Sequence, residues 1–252
     1  MEDNIYKKVK SSVSRKFIKL KVEKIFTMNL NDIVVIAACR TAMGKFGGTL
    51  KDISSYDLGA VAIKGALKKA GLTGDQVDDV ILGSCRQAGN GVNPARTASV
   101  HGGVNTKVAA ITLNMACPSG MRSVVFASQA IRLGEAEIVV AGGFDNMSSI
   151  PYLLKGVRWD GFKMGNKIIE DGWSDSIDPL IGMGMGDTAE NLYDKYQISR
   201  ELQDEYAVRS HLKAAEAQKK GWFNEEIVPV EIPATKNTAA IIFDKDETIR
   251  YE

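Results

Sequence analysis

VAAITLNMACPSGMRSVV, residues 108–125, is the stretch that decides the expected fold. Its first six residues are apolar or β-branched, which is typical of a buried strand. A sharp turn follows at Cys117-Pro-Ser-Gly, and after it apolar side chains recur at helical spacing, at Met121, Val124, Val125 and Ile131. The stretch therefore predicts a strand, a turn and a helix in immediate succession.

Cys117 stands where the predicted helix begins. Pro118 suits the first helical position, because its fixed φ matches a helix and the N–H that it lacks would have no intrahelical partner. This places Cys117 at the N-cap, where the positive end of the helix favours a thiolate, the nucleophilic form of cysteine. Cys117 is thus a candidate nucleophile, and the alternative is a small core residue, a common role of free cysteine.

Composition sets limits on the class of protein. With 252 residues, 44% of them hydrophobic and 25% charged, the chain can form one large domain or two small ones. A net charge of +1 gives no reason to expect nucleic acid or a membrane surface as a partner. Three cysteines and two histidines lack metal-ligand spacing, so we expect no metal site and a reducing, cytoplasmic compartment.

From residue 33 onwards the pattern alternates between strand and helix. Strands are predicted at residues 33–37, 80–82, 108–113 and 136–141. A first helix is predicted at residues 56–70 and ends at Gly71. A second begins at Pro94, with Asn93 as its N-cap, and a third follows Cys117. Strands joined through helices indicate a mainly parallel sheet flanked by helices, an α/β fold with functional loops at the carboxyl edge.

The two ends of the chain differ from this pattern. Residues 1–27 are rich in lysine and are expected to be a poorly ordered basic extension, the alternative being a targeting or surface-binding helix. Residues 151–186 are long and irregular, as in a functional or assembly excursion. After them we expect a helix at residues 188–196 opened by an Asp187 capping box and a helix at residues 200–219.

Several motifs resemble those of one family. Residues 114–121, NMACPSGM, resemble the signature around the acyl-accepting cysteine of thiolases, the acetyl-CoA acetyltransferases. Four more stretches resemble thiolase motifs in the family's order and spacing: ACRTAMGKFGG at 38–48, QAGNGVNPAR at 87–96, AGGFDNMS at 141–148 and MGDTAEN at 185–191. The resemblance extends from about Asp32 to the last residue.

The resemblance implies a thiolase-like α/β fold. Residues 28–147 would be the amino-terminal α/β domain, and residues 148–252 a truncated, inserted α+β loop domain that covers coenzyme A and carries a tetramerisation hairpin. The carboxy-terminal thiolase domain would be absent. The family also implies a homo-oligomer, a dimer of dimers.

The resemblance further implies a biosynthetic, short-chain acyltransferase. Two acetyl-CoA molecules would form acetoacetyl-CoA and CoA, or the reverse, through an acyl thioester on Cys117, with coenzyme A thioesters as substrates and no further cofactor. Met185 would form a wall of the acyl pocket, although core filler is the commoner role of methionine. Gly184 stands where short-chain thiolases often have a substrate-contacting histidine.

The family supplies its base and acid from a Gly-His-Pro and a Cys-x-Gly-Gly-Gly segment, and neither occurs here. The chain would therefore be an incomplete enzyme. Three alternatives stay open: a ketoacyl-synthase-like condensing enzyme, a noncatalytic acyl-CoA- or lipid-binding relative, and a fragment without a function of its own.

Overall fold

The computed structural model of the chain describes residues 33–173, 177–234 and 238–251. The predicted basic extension, residues 1–27, lies outside these ranges. We call residues 33–147 the sheet region and residues 148–251 the excursion. The elements follow in the order β1 (Arg40–Thr41), α1 (Ser55–Ala70), β2 (Asp79–Gly83), α2 (Pro94–His101), β3 (Ala109–Leu113), α3 (Ser119–Arg132), β4 (Val139–Gly143), α4 (Val157–Asp160), α5 (Met185–Tyr196), α6 (Arg200–Lys219), β5 (Ile227–Val228), β6 (Val230–Ile232) and β7 (Ile241–Phe243), with short 3₁₀ turns at Gly74–Gln76 and Met147–Ser149.

A parallel three-stranded sheet is the centre of the sheet region. Its strand order is β3-β2-β4, and Gly83 at the end of β2 lies opposite Leu113 and Gly143. The carboxyl ends of all three strands therefore meet at one edge, as expected for strands joined through helices. This confirms the predicted parallel sheet.

Side chains alternate across this sheet. Val80 and Leu82 pack with apolar residues of α1 and α2, whereas Ile81 packs with Leu113 and with Ala127 of α3. Because strand side chains point to opposite faces in turn, the central residues of β2, Val80 to Leu82, must all be apolar when helices cover both faces. Val80 is 0% exposed, in keeping with that position.

Two predicted helix caps of the sheet region, Gly71 and Asn93, are confirmed, and Ser54 is a further cap that was not predicted. The Ser54 hydroxyl accepts a hydrogen bond from the Asp57 N–H at the start of α1, and Gly71 ends the helix with φ of 68°. The Asn93 side chain accepts a hydrogen bond from the Arg96 N–H, which confirms Asn93 as the N-cap of α2. Short polar caps and a left-handed glycine are the strongest local signals for helix boundaries.

The excursion is joined to the sheet region by strand pairing, by an ion pair and by a shared apolar core, in which Leu50 and Leu58 pack with Val230 and Phe243. Strand β5 pairs in parallel with β1, and β6 pairs antiparallel with β7. The Arg40 guanidinium binds both oxygens of Asp246, at 2.7 and 2.9 Å, and also the Glu226 carboxylate at 2.8 Å. The Asp246 side chain is only 2% exposed, so this ion pair is a buried anchor between the two regions.

Three predicted boundaries are wrong. Residues 33–39, which include the predicted strand at 33–37, form no strand, and the side chains of Val34, Val35 and Ile36 are exposed. Strand β4 covers Val139–Gly143, not residues 136–141. Helix α5 begins at Met185, three residues before the predicted start, because the Asp187 carboxylate reaches back and accepts the Gly184 N–H at 2.9 Å.

In the described part of the chain, none of the helices has the combination of length and apolar character that crossing a membrane requires.

Candidate active site

Cys117 lies just beyond the carboxyl end of β3, with its thiol exposed. The prediction that Cys117 is the N-cap is wrong by one residue, because α3 begins at Ser119 and Pro118 is its N-cap. Pro118 has ψ of 16°, which is not yet helical. Cys117 therefore sits in the turn that leads into the helix, not in the helix itself.

The turn is held by the residues on either side of Cys117. Ala116 has φ of 53°, a left-handed conformation that is uncommon for a residue with a Cβ. The Ser119 hydroxyl accepts the Met115 N–H at 2.8 Å and donates to the Ala116 carbonyl at 2.6 Å. The Asn114 side-chain oxygen accepts the Ala116 N–H at 2.8 Å. These bonds fix a strained turn and leave the thiol itself free to react.

Glycines let the start of α3 sit directly on the strand ends. A Cβ on Gly83 would lie 2.3 Å from the Ser119 carbonyl carbon, and one on Gly143 would lie 3.1 Å from the Gly120 Cα. The Ser123 hydroxyl, fully buried, donates to the Gly142 carbonyl at 2.7 Å. The strand ends thus define where the helix begins, and with it the position of the Cys117 turn.

Asp145 is a site residue that sequence reasoning missed. One of its carboxylate oxygens accepts from the Ser84 hydroxyl at 3.0 Å and the Arg86 N–H at 3.1 Å. The other accepts from the N–H and the S–H of Cys85, both at 3.2 Å. The only signal in the sequence was an aspartate two residues after a glycine-ended strand, in AGGFDNMS.

The other two thiols are less available than Cys117. Burial raises the pKa of Cys39, and the charge of Lys69 only partly opposes this. The pKa of Cys85 is raised to about 11, first by burial and then by the hydrogen bond and the negative charge of Asp145. A thiol with such a pKa holds almost no thiolate near neutral pH.

Met185 is the first residue of α5, and its side chain is 75% exposed. The alternative that Met185 fills a core is therefore wrong. No described hydrogen bond or ring contact joins α5 to the Cys117 turn, so the role of Met185 as a pocket wall stays a prediction.

A cleft of about 750 Å³ lies at the same edge of the sheet, lined by residues 41–46, by residues 145–148 and by Trp173. The Trp173 ring meets Phe46 edge to face at 5.9 Å, and the Arg86 guanidinium lies over it at 5.5 Å. Trp173 therefore joins the excursion to two loops of the sheet region.

Both histidines are engaged away from Cys117. His101 Nδ1 lies 2.8 Å from the Asp57 carboxylate, and His211 Nδ1 accepts the Arg250 N–H at 3.2 Å. In the ranges that the structure covers, no group of three or more His, Cys, Asp and Glu side chains could hold a metal ion. The site therefore presents an accessible nucleophile without an adjacent base.

Comparison with known proteins gives this site a family. Residues 33–252 match the model of the thiolase N-terminal domain. The chain is 48% identical over 223 residues to an acetyl-CoA acetyltransferase of Cupriavidus necator and 47% identical over 223 residues to a probable acetyl-CoA acyltransferase of Staphylococcus epidermidis. Both alignments cover 88% of this chain and 56% of the relative.

A solved structure has the same fold. The crystal structure of the Bacillus anthracis acetyl-CoA acetyltransferase superposes with a TM-score of 0.83 at 41% identity, covering 87% of this chain and 55% of that one. The chain thus spans about half the length of the relatives that it matches. By its sequence and by the thiolase-like α/β fold of its described residues, the chain belongs to the thiolase family.

Proposed function

We propose that this chain is the nucleophile-bearing part of a short-chain thiolase, which condenses two acetyl-CoA molecules to acetoacetyl-CoA and CoA or catalyses the reverse. The observation that carries the proposal is the exposed Cys117 thiol on a rigid turn at the carboxyl edge of a parallel sheet. A chain 48% identical to it is named an acetyl-CoA acetyltransferase, which supports the choice of substrate.

The reaction divides into two transfers through Cys117. The thiolate attacks the carbonyl carbon of acetyl-CoA, and the CoA thiolate leaves and takes up a proton. A second acetyl-CoA then loses a proton from its methyl carbon to a base, and the carbanion attacks the thioester carbonyl. Acetoacetyl-CoA forms, and the Cys117 thiolate leaves. The covalent intermediate replaces one difficult step by two easier ones.

The chain's own backbone is suited to the first transfer. Within the described residues, the N–H of Cys117 has no hydrogen-bond acceptor, whereas the N–H groups of Met115, Ala116 and Ser119 are all used. A free N–H beside the nucleophile can stabilise the negative oxygen that develops on the attacked carbonyl. This supports acyl transfer to Cys117.

The second transfer needs a base that the described site does not contain, since His101 and His211 are both engaged elsewhere. We propose that residues of a carboxy-terminal thiolase half supply this base and the acid, with no metal and no cofactor beyond coenzyme A thioesters. Met185 would line the acyl pocket in that assembly. A cytoplasmic location would suit three unpaired cysteines.

We also propose that the assembled enzyme is a homo-oligomer. Among the described strands, β3 lies at the edge of its sheet, and its Ile111 is half exposed. An open edge of this kind is closed when two copies pair. The aromatic segment around Trp159 and Phe162 in the excursion is also largely exposed and offers a second contact.

The assay of choice follows CoA-dependent cleavage of acetoacetyl-CoA. The purified 252-residue chain is expected to show little activity alone and to gain activity with a separately expressed carboxy-terminal thiolase half. Full activity of the chain alone would mean that it contains its own base. No activity in either case, with no acyl group on Cys117, would favour a noncatalytic acyl-binding relative.

A further inference from the structure

Two thiols stand at the same edge of the sheet. Cys85 follows β2 and Cys117 follows β3, and these strands are neighbours. The loops that carry them are joined, because the Asn114 amide donates to the Cys85 carbonyl at 3.3 Å. Asn114 also accepts the Ala116 N–H beside Cys117. Acyl transfer through Cys117 alone therefore requires something that distinguishes the two thiols.

Asp145 reaches this pair of loops from the neighbouring strand. Its carboxylate accepts four hydrogen bonds, from the Ser84 hydroxyl, the N–H and S–H of Cys85, and the Arg86 N–H. A carboxylate that gathers the donors of three consecutive residues fixes the path of that loop. Through Asn114, the same loop contacts the Cys117 turn.

We propose that Asp145 is a positioning residue that selects Cys117 over Cys85 as the nucleophile. It engages the Cys85 S–H as a hydrogen-bond donor, and it holds the 84–86 loop on which Asn114 and the Cys117 turn rest. The proposal deepens the proposed function and rests on it, because it takes Cys117 as the acyl acceptor.

Electrostatics act in the same direction as the geometry. The pKa of Cys85 is raised to about 11. Burial is the largest cause, and the hydrogen bond to Asp145 and the charge of Asp145 raise the pKa further. Arg86 opposes this rise, whereas a charge on Cys117 increases it further. A thiolate on Cys117 therefore makes a second thiolate on Cys85 still less favourable.

The test compares Asp145→Asn with Asp78→Asn by limiting alkylation with iodoacetamide at pH 8 and peptide mapping. Asp78 is a matched control, because its carboxylate also accepts two backbone N–H groups, of Glu137 and Ile138, but near the opposite end of the sheet. A fall of the Cys85 pKa from about 11 to its ordinary 9.0 would raise its thiolate fraction about 100-fold. Because burial remains, we expect a rise of about tenfold in Cys85 labelling.

The expected pattern has opposite signs at the two thiols. In Asp145→Asn, Cys85 labelling rises while Cys117 labelling falls about threefold or more, because the turn loses its support. In Asp78→Asn, the ratio of Cys85 labelling to Cys117 labelling stays equal to that of the unmodified chain. Asn114→Ala should slow Cys117 labelling and leave Cys85 unchanged. An equal rise at both thiols in Asp145→Asn indicates general opening and overturns the proposal.

The unmodified chain provides a test that does not depend on a variant folding. Its Cys85 labelling rate should continue to rise up to about pH 11. A plateau below pH 9 contradicts the proposal. The proposed function is tested separately, by acetyl transfer from acetyl-CoA to Cys117. If Asp145→Asn shifts the ratio of Cys85 to Cys117 labelling but Cys117 is not acetylated, only the proposed function is refuted. If Cys117 is acetylated but the labelling ratio does not shift, only the inference is refuted.

Discussion

The sheet region and the excursion bury their apolar side chains to very different degrees. In the sheet region, β2 has four of its five residues buried, and helices α1, α2 and α3 all contribute to the cores around it. In the excursion, α5 has no buried residue and Ala217 is the one buried residue of α6. Apolar side chains on these two helices are largely exposed, among them Leu192, Leu202, Tyr206 and Leu212.

This difference shows which part of the molecule defines the site. The Cys117 turn rests on strand ends and on hydrogen bonds within the sheet region. The excursion is attached through the Arg40 and Asp246 ion pair, through Trp173, through the pairing of β5 with β1 and through a small apolar core. That core is formed by Ala42, Leu50, Leu58, Val230 and Phe243. The exposed apolar side chains of α5 and α6 are expected to contact substrate or another chain.

The largest effect is expected from a methyl group on Gly83. Gly83→Ala would place a Cβ 2.3 Å from a backbone carbon of Ser119, so the start of α3 must move. Overpacking of this kind lowers the free energy of unfolding by about 3 kcal/mol or more, because the backbone has to shift. Urea unfolding should show this loss, and Cys117 labelling should change with it.

Gly186→Ala is the matched control in the excursion. Gly186 lies in α5 with nothing within 4 Å of an added Cβ, and alanine is the better helix former. We expect the free energy of unfolding of Gly186→Ala to stay the same or to rise by up to about 1 kcal/mol. If both variants lose the same stability, the contrast between the two regions is wrong.

The second effect concerns the anchor between the regions. Asp246→Asn removes the charge that the Arg40 guanidinium binds, and breaking a buried pair costs about 3 kcal/mol. Burial opposes ionisation of Asp246, but the hydrogen bonds from Arg40 and from the Met43 N–H outweigh it, so the folded pKa lies below the ordinary value.

This lowered pKa gives the anchor a pH dependence. A carboxylate whose pKa is depressed by folding contributes stability above its unfolded pKa, about 4, and loses it as the pH falls through the folded pKa. The difference in stability between the unmodified chain and Asp246→Asn should therefore be constant from pH 7 to about pH 5 and shrink below pH 4. A constant difference down to pH 2 would contradict the assigned ion pair.

The sequence was informative where the signal is local. Helix α6 was predicted at its observed bounds because Ser199 precedes it, Gly221 follows it and apolar residues recur along one face. Cys117 was predicted as a candidate nucleophile because an apolar strand, a turn and a helix follow one another without a gap. Glycine at position 71 and asparagine at position 93 act through contacts within a few residues, which a sequence displays directly.

Contacts between distant residues were not predictable in the same way. Asp145 binds a loop some 60 residues earlier, and Asp246 binds Arg40 across 206 residues. Residues 33–37 have a strand composition but form no ladder, because composition alone does not bring a partner strand to hydrogen-bonding distance. The N-cap of α3 was misplaced because the left-handed Ala116 and the Ser119 hydroxyl, not the cysteine, shape that turn.

A smaller effect is expected from the exposed face of α3. Val124, which is 48% exposed, lies beside the exposed Met121 and Val125. Val124→Lys should reduce self-association in sedimentation velocity and change stability by less than about 1 kcal/mol. Leu212→Lys is the counterpart in the excursion, where the leucine is 58% exposed. If only Leu212→Lys reduces self-association, the contact surface belongs to the excursion.

Acetyl transfer to Cys117 tests the central claim most directly. The chain is incubated with acetyl-CoA, quenched in acid and mapped by mass spectrometry, with Cys117→Ala and Cys39→Ala in parallel. Loss of the nucleophile should reduce acetylation by roughly a thousandfold or more. The account predicts one acetyl group on Cys117 in the unmodified chain and in Cys39→Ala, and none in Cys117→Ala. An acetyl group on Cys85 or Cys39 of the unmodified chain, with Cys117 unmodified, would contradict it.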